Sequence, residues 1–116
     1  MTDADALHRD ALVVDLHVHG PGFVPQPFRT LHRAVSVTRP PEQGFDVLAG
    51  AGVDAVVAKA VGDPIVTRWY RGSTPWEAVE AQLALIQRQA EAAGARVVTT
   101  AAGVREAKAQ GQTAVL

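Results

Sequence analysis

His17 and His19 are the residues whose type and spacing most directly imply chemistry. They close the run Ala11-Leu12-Val13-Val14-Asp15-Leu16-His17-Val18-His19 and are followed at once by Gly20-Pro21. The run is apolar and rich in β-branched residues, which predicts a buried strand, and Gly-Pro stops it. Side chains alternate along a strand, so residues two apart project from one face. Two imidazoles side by side at the C-terminal end of a strand can hold one divalent cation as a pair. Ligation needs both rings neutral, and the metal then gives both a partner. A lone buried histidine is more often a core residue with its hydrogen bonds satisfied. A same-face pair closed by Gly-Pro is harder to account for by packing. The same alternation puts Asp15 on that face, one step deeper. Two roles are open to it: fixing the tautomer of a ligating imidazole, or accepting hydrogen bonds from nearby backbone.

The elements that must position this pair follow in order. Thr2 caps a short helix to about Arg9, with Asp3 and Asp5 in its first turn, and His8 reads as exposed surface. Residues 20–41 hold five of the seven prolines and are expected as a long loop forming one wall of the site. Phe23 and Phe28 in that loop either line a substrate pocket or pin the loop to the rim. Arg29 and Arg33 are placed to meet a substrate carboxylate or to stay solvated, and His32 is a formal third-ligand candidate. Glu42 to Gly50 is expected as a helix with Phe45, Leu48 and Ala49 on one face and Gly50 ending it. Val53 to Val61 is expected as a second, nearly all-apolar strand, as in parallel sheets buried on both sides. Lys59 near its end has two readings, a structural ion pair or a carboxylated lysine bridging two metals.

Gly62-Asp63-Pro64 turns the chain, and Trp69-Tyr70-Arg71-Gly72 reads as an aromatic loop. Thr74, Pro75 and Glu77 form a capping box with proline at the first helical position. The stripe Trp76, Val79, Leu83, Ile86, Ala90 and Ala93 is expected to face the core before Gly94 closes the helix. Arg96 to Thr99 is a short extended piece, Thr100 opens a helix to about Ala109, Gly111 ends it, and residues 112–116 begin a strand.

Asp-x-His-x-His at the end of a first strand resembles the opening of the amidohydrolase-type metal-dependent hydrolases. The wider pattern, including Gly44 to Ala58, is similar to the renal, or membrane, dipeptidase family of zinc metallopeptidases. The resemblance implies the N-terminal part of a (β/α)8 TIM barrel, with residues 1–116 as a single incomplete domain. It implies one or two zinc ions, and hydrolysis of a dipeptide or related small acyl-amino compound by a zinc-activated water. His17 matches that family's first zinc ligand. His19 falls where the family has an aspartate, which removes one negative charge from a two-metal site. The family's bridging glutamate would lie beyond Leu116, as would the catalytic groups. The two rivals are another amidohydrolase-type barrel acting on a cyclic amide, phosphoester or deaminase substrate, and a metal-binding or structural fragment without turnover. Metal-dependent turnover by these residues alone would mean that another residue, His32 or Asp63, completes the site.

Length and composition bound the rest. At 116 residues and 47% hydrophobic content the chain suffices for one compact domain. With 11 Lys+Arg against 12 Asp+Glu the net charge is −1, so neither nucleic acid nor anionic membrane is an expected partner. The absence of cysteine excludes disulfides, thiolate zinc sites and a cysteine nucleophile. The acidic start lacks a leader pattern and no apolar run is long enough to span a bilayer, so a cytoplasmic address is expected. The expected partners are the small-molecule or dipeptide substrate and, because the barrel cannot close and leaves a parallel edge open, a second copy of the chain.

Overall fold

The computed structural model describes residues 2–19, 30–31, 34–35, 44–61 and 74–116. Helix α1 spans Asp3–Asp10 and feeds strand β1, Val14–His19. Helix α2 (Phe45–Gly50) leads to β2 (Ala55–Lys59). Helix α3 (Pro75–Ala92), β3 (Arg96–Val97), α4 (Ala101–Ala109) and β4 (Ala114–Val115) complete the order. The fold is mixed α/β around a four-stranded sheet in the order β1-β2-β4-β3, every pairing parallel. The strand order departs from sequential only at β3, a two-residue piece hydrogen-bonded to the far side of β4.

Neighbouring residues of β2 and β4 go to different clusters, as alternation requires. Val56 and Val115 join Val18, Phe45, Leu48, Ile86 and Ala90, so α2 and α3 cover one face. Ala55 and Ala114 join Val98, Val104 and Ala107, so α4 covers the other. The alanines let α4 approach closely. Among the described residues the sheet's edge strands are β1 and β3, and Leu16 stands 69% exposed on the first.

The helix starts follow their sequence signals. Thr2 and Thr74 each accept from the backbone N–H three residues on, while Asp5 and Glu77 accept from the threonine N–H and hydroxyl. These bonds, the backbone one foremost, hold both carboxyls below the usual range. A carboxyl whose folded pKa is lowered contributes stability above its unfolded value and loses it as pH falls through the folded one. Both helix starts are therefore expected to fray on acidification below about pH 4. The amide shifts of Thr2 and Thr74 should report this, and Asp5→Ala or Glu77→Ala should abolish the transition at its own helix. Amide shifts that stay flat through that range would contradict it.

Two expectations are corrected. Gly50 does not end α2; it lies inside the helix, and Gly52 takes the left-handed turn at φ +78. There the N–H groups of Gly52 and Val53 bond back to Ala49 and Leu48, and the side chain of Ala49 is left exposed. The buried face of α3 is also rotated from the expected stripe. Trp76 is 70% and Leu83 51% exposed, whereas Ala78, Gln82, Ile86 and Ala90 are buried. Small side chains bring this helix near the sheet, and the bulky apolar ones fall beside the contact rather than in it. Gly94 and Gly111 close α3 and α4 as expected.

Candidate metal site at the strand ends

Val18 anchors the end of β1 in the core and is level with Ala58 of β2, while the next residue, His19, is level with Lys59. His17 and His19 therefore turn to the opposite face, at the C-terminal ends of β1 and β2. This is where ligands gather in parallel sheets. The Nε2 atoms of the two rings lie 3.2 Å apart, with ring centroids at 4.9 Å and planes crossed at 82°. His17 is exposed and His19 half-buried. The spacing argument for this pair holds.

It fails for Asp15. Between Asp15 and Val18 the strand advances three residues against two in β2, a bulge that breaks the two-residue period. Asp15 is level with Val56, whereas His19 is level with Lys59. Its Oδ1 accepts the backbone N–H of His17 at 2.9 Å, the backbone role rather than the imidazole-orienting one. This bond pins the bulge that presents the His17 ring.

Lys59 joins the pair. Its ammonium donates to Nδ1 of His17 at 3.0 Å, and among the described residues it meets no carboxylate. A neutral imidazole accepting at Nδ1 carries its proton on Nε2, so His17 donates onward to Nε2 of His19. The result is a short chain of three nitrogen groups. The end of β2 is held in turn by Gln82, which sits in the buried face of α3. Its amide accepts from the N–H of Val61 at 3.1 Å and donates to the Val61 carbonyl at 2.7 Å. It thereby substitutes for a neighbouring strand two residues beyond Lys59. A glutamine inside an apolar helical stretch is the only sequence signal for it.

The pair fits a metal. Tetrahedral zinc with Zn–N bonds of about 2.0–2.1 Å separates two nitrogen ligands by about 3.3 Å. The two Nε2 atoms already stand at nearly that bite; ligation there would move the His17 proton to Nδ1, and the Lys59 ammonium would then leave that nitrogen. Among the described residues no group of three or more histidines and carboxylates forms, so the pair alone would supply only two ligands. Phe23, Phe28, Arg29, His32, Arg33, Asp63 and the aromatic segment 69–72 lie outside the described residues. Among the described residues no helix is long and apolar enough to cross a membrane. No protein-family model, no curated protein and no solved structure matches the chain.

Proposed function

We propose that this chain is the N-terminal part of a metal-dependent (β/α)8 hydrolase of the renal, or membrane, dipeptidase type. It would act on the amide bond of a dipeptide or related small acyl-amino compound, and its parent would work in the cytoplasm. The observation that carries this reading is the 3.2 Å approach of the two imidazole Nε2 atoms at the strand ends. The wholly parallel sheet supports it as well. In that reading β1, β2 and β4 are successive barrel strands, and β3 is an accessory piece.

His17 and His19 would hold a zinc ion, the first of one or two. When bound, zinc supplies Lewis acidity toward the scissile carbonyl and lowers the pKa of water. The chain's own residues orient and enclose. Asp15 fixes the turn of backbone that presents His17, and Val18 locks the strand beneath the pair. In the family resembled the bridging carboxylate and the general base come from later strands than those of residues 1–116, so these residues by themselves are expected to be inactive. Zinc-supplied chain should show no dipeptide hydrolysis above background. Turnover that survives purification and disappears with a chelator would contradict this, and would require a further ligand within these residues. His19 in place of an aspartate favours a second reading, an amidohydrolase-type barrel for a cyclic amide, phosphoester or deaminase substrate. A longer form of the protein assayed against dipeptides and cyclic amides separates the two.

A further inference from the structure

We infer that Lys59 is the anchor for a carboxylate group of the substrate. This rests on the hydrolase reading for the identity of the anion, and on the geometry for the site. Lys59 is level with His19 across the β1–β2 pairing, and its ammonium reaches to 3.0 Å from His17. It is half-buried, which costs a cation part of its hydration. The chain's one other lysine, Lys108, is also half-buried and does meet a carboxylate, 2.7 Å away on Asp54. Lys59 instead meets a neutral ring, and the nearby Asp15 carboxylate is turned to the backbone.

An ammonium has three N–H donors, and one is spent on His17. The site face thus presents a cation with two donors in hand beside the His17 ring, and among the described residues no carboxylate meets that cation. A cation held at the histidine pair would raise that positive charge further. A small anionic group is the complement, and a carboxylate fits the two remaining donors. The substrate class that follows is an acyl-amino acid or dipeptide with its terminal carboxylate free. Neutral esters and amides of the same skeleton should be poorly held.

The test uses the zinc-free chain, N-acetylglycine as probe and N-acetylglycinamide as its neutral counterpart. Ring-proton NMR signals of His17 and His19 should move and saturate with the acid and stay in place with the amide. Lys59→Met should weaken the response about tenfold or more, as loss of a charge-assisted hydrogen bond does. Lys59→Arg, which keeps the charge, should retain it. Zinc content is measured in parallel and should be unchanged in Lys59→Met. Equal responses to acid and amide would overturn the assignment. So would equal responses of parent and Lys59→Met, or loss of zinc and carboxylate together in Lys59→Met. Carboxylate binding without zinc binding would leave Lys59 as an anion anchor and remove the metal reading instead.

Discussion

Replacing His17 or His19 with alanine is expected to lower zinc affinity roughly a hundredfold or more, since under the proposed function each would remove one of two direct ligands. The stability cost should be small. His17 is exposed and His19 half-buried, and the core beneath them is filled by Val18. Surface changes of this kind stay within about 1 kcal/mol, so metal and fold effects separate cleanly. His19→Asp should behave differently, because it offers an oxygen donor where the dipeptidase-like pattern has one, and zinc should be retained. Competition against a chromophoric zinc chelator measures all three. Alanine variants that bind zinc as the parent does would remove the ligand assignment, and the remaining cost would then be one of packing or hydrogen bonding alone.

Lys108→Met is expected to destabilise the fold by about 2–3 kcal/mol, the range for stranding one partner of a largely buried charged pair. The ammonium donates to Asp54 Oδ2 at 2.7 Å and to the carbonyls of Arg9 and Ala11 at 3.1 and 2.8 Å. It thereby ties α4 to the end of α1 and to the start of β2. Asp54 accepts from the Val13 N–H at 2.8 Å as well, so the same carboxylate sets where β1 begins. Removing the lysine strands a carboxylate that is only 17% exposed. For a domain of this size, that loss corresponds to a fall in melting temperature of roughly 10–20 °C. Asp54→Asn should cost less, since the amide oxygen still accepts from Val13. Urea unfolding of both single variants and the double variant gives the coupling. A Lys108→Met variant within about 0.5 kcal/mol of the parent would show the clamp to be surface ornament.

The parts legible in the sequence were those governed by local chemistry. The caps at Thr2, Thr74 and Thr100 and the glycines at 94 and 111 each act over three or four residues. The strand ending in His17-Val18-His19 was legible in position but not in burial, since Val14 and Leu16 stand 41% and 69% exposed on it. What failed depended on distant partners. Nothing in Asp15-Leu16-His17 marks a bulge; it arises where β1 is fitted to β2, and it moves Asp15 out of the alternation. The face of α3 is chosen by the sheet, which needs small residues and the Gln82 amide for Val61, so hydrophobic periodicity pointed to Trp76 and Leu83 instead. Lys59 found His17, and Lys108 found Asp54, across separations that no local pattern records. The histidine pair was therefore readable, and its supports were not.

Zinc K-edge X-ray absorption on the chain loaded with one equivalent of zinc tests the metal assignment most directly. The predicted first shell contains two imidazole nitrogens at about 2.0–2.1 Å, falling to one in His17→Ala and in His19→Ala. A shell of oxygen alone, or an imidazole count unchanged in both variants, would contradict it.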